Sequence, residues 1–284
     1  NPDTELAYLP PAAAHEFEVY RYVLVATAGM FAWELAVDLF NIYRMLFQSP
    51  LSLPAFFYIL SRKASSILTI ALARSLTPQP AIPVANCEAL LICIGIFYCI
   101  GTSCTSLLFF FRIRAIFNDS PLIVGFFAFV WLFVLGGGIA VPFALTGMAT
   151  HVGDTGMCLQ SGARSFAGAS FITSAAFDTL VFFFISFRLI TTFVHEEGHL
   201  AHTPAQRLGV FIRHGLRGQG LPRFSRAVFQ TGQQYYFVSL ISNVITISIY
   251  LSTSTVPSSY RIMFTVPNLA IVNSMATRVF REVR

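Results

Sequence analysis

Between Glu88 and Arg112 the chain carries no charged side chain. The stretch Asn86–Phe117, NCEALLICIGIFYCIGTSCTSLLFFFRIRAIF, is apolar for more than the ~20 residues that cross a bilayer as a helix. It opens on Cys87 and closes on Arg112 and Arg114. Its middle is small and polar, with Gly95, Gly101, Thr102, Ser103, Cys104, Thr105 and Ser106. Small residues let helix backbones approach closely in lipid, and their hydroxyls bond across helices. The stretch therefore reads as a transmembrane helix at the centre of a bundle.

The rest of the chain follows the same pattern. Charged residues make up only 11% of it, against roughly a quarter in a soluble domain. The 30 Phe fall in many separate apolar runs, more than one buried core helix could hold. Spans are expected at about Tyr20–Phe47, Pro54–Leu76, Asn86–Phe117, Leu122–Leu145, Ser165–Ile190, Gly232–Leu251 and Tyr260–Ala276. Pro-containing turns, polar loops and a longer basic segment at 191–231 separate them. The expected fold is all-α: a single seven-helix transmembrane domain over 16–284, preceded by a polar leader at 1–15. The first apolar run is long enough to act as its own insertion signal. The start without Met and the abrupt end at Arg284 suggest missing tails.

Seven spans place the termini on opposite sides. Of the 18 Lys and Arg, 14 collect on one side, among them Arg112, Arg114 and the five Arg of the 191–231 loop. The positive-inside rule makes that side the cytoplasm, so the N-terminus is expected outside and the C-terminus in the cytoplasm. Plasma membrane is the expected location. The net charge of +5 then reflects topology and contact with anionic lipid headgroups rather than nucleic acid. Arg62 and Lys63 interrupt the second span and are expected to reach the headgroups by extending their stems.

Several residues carry candidate chemistry. Cys87, at the outer start of the third span, and Cys158 are the only two of the five Cys not buried in a span. Both are expected outside, where disulfides persist. A bridge would pin the loop between spans 4 and 5 over the mouth of the bundle; the alternative is two free thiols. Glu34, Asp38 and Asn41 share one face of span 1, because residues three and four apart align on a helix. Ser170, Ser174 and Asp178 form a second inward polar face on span 5. Tyr235, Ser239, Ser242, Thr246 and Tyr250 make a stripe on span 6, with Asn243 beside it. Intramembrane acids are costly and mark ligand or ion sites; the alternative is a hydrogen-bonded carboxyl that holds helices together. Glu34 and Asp38 would repel each other if both were ionised. No cationic partner at mid-depth is evident from the sequence.

His195-Glu196-Glu197-Gly198-His199 fits H-E-x-x-H, in which two His one turn apart hold zinc and the Glu acts as general base. Gly198 weakens that helix, and a third ligand is not evident. A chance match in a His-bearing loop is the competing reading. Lys63 is the only lysine, near one end of span 2, which argues against a retinal Schiff base. No cofactor is expected. Arg112 and Arg114 are candidates for a face that engages a cytosolic transducer; the competing reading is that they only set topology, which explains the charges without any partner.

The chain resembles a large group of seven-helix membrane proteins of basidiomycete fungi whose first spans carry a domain of unknown function. The matching stretches are Ser52–Ser66 (SLPAFFYILSRKASS), Arg112-Ile113-Arg114-Ala115, Gly220–Phe237 (GLPRFSRAVFQTGQQYYF) and Met263–Val283 (MFTVPNLAIVNSMATRVFREV). The resemblance covers most of the chain and implies architecture and fungal origin, with no established activity. More loosely, the layout is similar to that of G-protein-coupled receptors. Departures are present: Arg112-Ile113-Arg114 is not an acidic-Arg-aromatic triplet, and Pro267-Asn268 stands where the receptor pattern is Asn-Pro.

The expected function is a receptor-like protein that senses a small or lipidic ligand between spans 3, 5, 6 and 7, with membrane lipids and a heterotrimeric G protein or another cytosolic transducer as partners. Glu34, Asp38, Asp178, Ser239 and Asn243 are its candidate intramembrane polar residues. The alternative is a transporter or channel using the buried acids. A zinc-dependent membrane hydrolase at His195, Glu196 and His199 is the lesser alternative, and the balance is against an enzyme.

Overall fold

The computed structural model describes residues 10–47, 53–76, 86–151, 158–160, 162, 164–197, 223–252 and 258–283. The chain is helical throughout its long elements: α1 (Pro11–Phe47), α2 (Leu53–Leu76), α3 (Cys87–Ile116), α4 (Pro121–Leu145), α5 (Gly168–Glu197), α6 (Arg223–Leu251), α7 (Ser258–Met263) and α8 (Thr265–Val283). Six of them, α1 to α6, are long and apolar enough to cross a membrane. Their backbone groups are satisfied within each helix, which a spanning segment in lipid requires. Large apolar side chains also point outward, including Trp33, Leu122, Phe129 and Phe183. Such a surface fits lipid rather than water. The fold is that of an integral membrane helical bundle.

Local chemistry sets the helix ends. Asn86 caps α3: its side-chain oxygen accepts from the Ala89 amide at 3.0 Å, satisfying one of the orphan donors of the first turn. That cap fixes Cys87 as the first residue of the helix. Pro121 opens α4, where its missing N–H costs nothing. The last expected span is divided at Phe264 into α7 and α8. Pro267 explains the break, because it offers no N–H to the carbonyl four residues back, that of Met263. The α7–α8 pair falls short of the six others in length or apolarity. Most of α8 is buried nonetheless, including Asn273, Ser274 and Thr277.

At the bundle's centre lies α3, packed against α2, α4, α5 and α8. Two apolar cores flank its small polar middle. One, around Phe109, Phe127, Phe177, Val181 and Val279, lies toward the Arg112 end. The other, around Phe17, Leu24, Leu91, Ile94 and Leu269, lies toward the Cys87 end. The phenylalanines pack edge to face, as Phe127 does on Phe184 at 5.1 Å between ring centroids, the favoured geometry for aromatic pairs.

Gly95 and the glycines of α4 divide in their use. A Cβ on Gly95 would lie 2.9 Å from Pro142 Cα, and one on Gly137 would lie 2.7 Å from Thr173 Oγ1. A Cβ on Gly136 meets nothing within 4 Å. Gly95→Ala is therefore expected to lower the melting temperature of the purified protein, by the ~1–3 kcal/mol that overpacking costs. Gly136→Ala is expected not to lower it. Equal melting of the two variants would contradict this packing.

At the Cys87 end a short hairpin closes the bundle. Strands β1 (Ala149–His151) and β2 (Cys158–Gln160) pair antiparallel, with Ala149 opposite Gln160 and His151 opposite Cys158. Gly147, at φ +75°, makes the turn out of α4 in a conformation that glycine adopts freely. Its amide donates to Glu88 Oε1 at 3.2 Å.

Candidate functional site

Cys158 is disulfide-bonded to Cys87, with Cα atoms 5.4 Å apart. Both residues are buried. The bridge ties the hairpin to the start of α3, in line with the favoured reading of two cysteines not buried in a span, and Cys93, Cys99 and Cys104 are free.

The candidate acids fall into two groups. Glu34 and Asp38 face the bundle, 8% and 1% exposed. They meet a cation that the sequence reading placed at the headgroups. Arg62 does not extend to the membrane surface: it is 2% exposed, and it lies nine residues into α2, about 13 Å along the axis. Its guanidinium spans both acids, donating to Glu34 Oε2 at 2.9 Å and to Asp38 Oδ2 at 2.5 Å. Neighbours complete the cluster. Ser274 on α8 donates to Glu34 Oε1, half-exposed Arg278 reaches the same oxygen at 3.4 Å, and Tyr58 donates to Asp38 at 3.4 Å. Lys63, one residue on, is exposed. The Asn41 side chain lies outside the described residues.

Asp178 belongs to a different network. Asn243 on α6 donates to its Oδ2 at 2.8 Å. Asn268 on α8 donates to Asn243 Oδ1 at 3.0 Å, and Ser242 donates to Asn268 Oδ1 at 2.6 Å. One chain of hydrogen bonds thus crosses α5, α6 and α8. Ser239, 1% exposed, faces the interior but turns its hydroxyl to its own helix, donating to the Tyr235 carbonyl at 3.1 Å.

A third junction uses the small polar middle of α3. Asn273 on α8 donates to Ser61 on α2 and, at 3.1 Å, to Thr105 on α3. Ser61 and Thr105 are 2.8 Å apart. Because Thr105 donates to the Gly101 carbonyl, Ser61 is the donor to Thr105. Helix α8 is therefore the member shared by all three networks. Ser242, Asn243 and Thr105 lie in polar stretches visible in the sequence; which helix each of them meets is not visible there.

Toward the Cys87 end the bundle holds a half-open cavity of about 70 Å³. Every long helix contributes to its wall: Tyr20 of α1, Leu68 and Leu72 of α2, Tyr98 of α3, Val141 of α4, Phe171 of α5, Tyr250 of α6 and Val266 of α8. Gln160 of the pinned hairpin reaches it from above. The lining takes in α1, α2 and α4 as well as the helices of expected spans 3, 5, 6 and 7. Three of its aromatic rings form one connected group, with Phe171 5.0 Å from Tyr250 and 6.0 Å from Tyr98. A space of this size holds a few water-sized groups and is under half of the ~150 Å³ that takes a benzene ring, so a larger occupant extends through its open side. An apolar wall with few polar groups is the usual make-up of a small-molecule site.

At the opposite end, Arg112 donates to the Val279 carbonyl, and its guanidinium carbon lies 5.8 Å from the Tyr236 ring centroid. It joins α3, α6 and α8, and a guanidinium over an aromatic face is attracted by the ring quadrupole. Arg114 is exposed. His195 and Glu196 fall in the last turn of α5, but their side chains, and the whole of His199, lie outside the described residues.

The chain matches no protein-family model and none of the curated proteins.

Proposed function

We propose that this chain is a receptor-like membrane protein that takes a small apolar or lipidic ligand at its disulfide end and signals to a cytosolic partner at the Arg112 end. The observation that carries the reading is the cavity whose wall draws on every long helix beneath the pinned hairpin. An occupant there touches elements that meet again at the other end, through the α8 networks and the Arg112 contacts. In this reading α8 supplies the seventh crossing. The N-terminus lies outside, the C-terminus in the cytoplasm of the plasma membrane, and the partner is a heterotrimeric G protein or another transducer. The charge bias and the resemblance to basidiomycete seven-helix proteins support that arrangement.

Purified protein in lipid nanodiscs is expected to be stabilised against heat by some members of a panel of small apolar compounds. Val266→Phe, which fills the cavity from α8, is expected to abolish that protection while keeping its own melting transition. Nucleotide exchange on heterotrimeric G proteins then reads signalling. Compounds that protect both proteins equally, or neither, would sink the cavity reading.

Transport along the buried acids draws less support, because Arg62 already neutralises much of the Glu34–Asp38 pair. A pH-dependent flux in liposomes that Asp178→Asn alters would favour it instead.

A further inference from the structure

A cation stands beside the cavity wall, against one of its lining rings, without itself lining the cavity. Arg261 stands on α7, next to Ile262, which lines the cavity. Its Nε donates to the Tyr250 carbonyl at 2.9 Å, and its guanidinium carbon lies 5.4 Å from the centroid of the Tyr250 ring. That ring is itself part of the cavity wall. The backbone bond and the ring hold the guanidinium in place through Nε and one face. Its two terminal nitrogens make no hydrogen bond, and no carboxylate pairs with it, among the described residues. A fixed guanidinium with its fork unused matches a carboxylate, which can accept two parallel N–H bonds. The wall behind it is apolar, with Leu68, Leu72 and Val266.

We infer that the cavity ligand is a small amphipathic carboxylic acid, with its apolar chain or ring between the helices and its carboxylate on Arg261. The inference rests on the cavity reading above and adds the headgroup. The two parts select differently: the wall rewards any short apolar body, whereas Arg261 rewards only a negative head.

The test compares octanoate, octan-1-ol and octylammonium as stabilisers of the purified protein in nanodiscs of neutral lipid. The expected order is octanoate first, acting at concentrations roughly ten- to hundredfold below octan-1-ol, as a charge-assisted hydrogen bond implies, with octylammonium last. Arg261→Gln is expected to remove the advantage of octanoate and leave octan-1-ol unchanged. Arg261→Lys, which keeps the charge, is expected to retain part of it. Val266→Phe is expected to abolish protection by all three. The wild-type order alone tests the sign of the head and needs no variant to fold. Octanoate no better than octan-1-ol in the wild type, or an advantage that survives Arg261→Gln, overturns the headgroup assignment and leaves the cavity reading standing. Absence of any protection that Val266→Phe removes overturns both.

Discussion

Arg62→Leu is expected to be the most damaging single substitution in the membrane interior. The guanidinium spans two buried carboxylates, and its removal leaves both charges in a medium that solvates neither. Breaking a buried pair in this way costs about 3–5 kcal/mol, enough to consume much of a typical domain's stability. Purified Arg62→Leu is expected to give little folded protein, with a melting transition far below the wild type. The triple variant Glu34→Gln, Asp38→Asn, Arg62→Leu is expected to recover most of the loss, because no charge is then stranded. Glu34→Gln alone is expected to be mild: Asp38 still neutralises Arg62, and half-exposed Arg278 can turn to solvent. An Arg62→Leu protein that melts with the wild type would show that the cluster does not hold α1, α2 and α8 together.

The second large effect belongs to the disulfide. Cys87 and Cys158 are 71 residues apart in sequence. On the chain-entropy account, a closed loop of that length is worth about 4 kcal/mol. The double variant Cys87→Ser, Cys158→Ser is expected to lose a large part of its thermal stability. It is also expected to weaken octan-1-ol protection, because Gln160 of the unpinned hairpin no longer closes the cavity. Since both cysteines are buried, a membrane-impermeant reductant is expected to act on the folded wild type only slowly. Rapid reduction at room temperature, or a double variant as stable as the wild type, would contradict this account.

How much of this was legible in the sequence differs by feature. Apolar length marks the six long helices, because nothing else in lipid satisfies their backbones. The i, i+4 spacing of Glu34 and Asp38, and of Ser239 and Asn243, shows that each pair shares a face, and both faces turn inward. The cysteine pair follows from being the only two cysteines not buried in a span. Arg62 was misread for a physical reason. Spacing within a helix fixes a face, but not the height at which a neighbouring helix presents its own residues. A cation in the third turn of α2 looks like one that reaches for headgroups until α1 is docked beside it. The last span reads as one helix over Tyr260–Ala276, although Pro267, which leaves the Met263 carbonyl without a partner, divides it at Phe264. The cavity was hidden more deeply. Its wall comes from segments scattered from Tyr20 to Val266, and no local pattern marks residues that meet only after the whole chain has assembled. Arg261 reads in sequence as one more basic residue near a loop; its held geometry over Tyr250 appears only in three dimensions.

The shared use of α8 bears on how such a chain is made. This helix is less suited than the other long ones to partition into lipid alone, and its polar groups are matched by Glu34 near the beginning of the chain, by Ser61 and Thr105 in the middle, and by Asn243 late in it. It follows all of these partners in the chain. Its stable insertion therefore depends on every earlier partner being in place. A copy with one helix missing or inverted would leave amides and hydroxyls of α8 unmatched in lipid, where an unsatisfied polar group costs several kcal/mol.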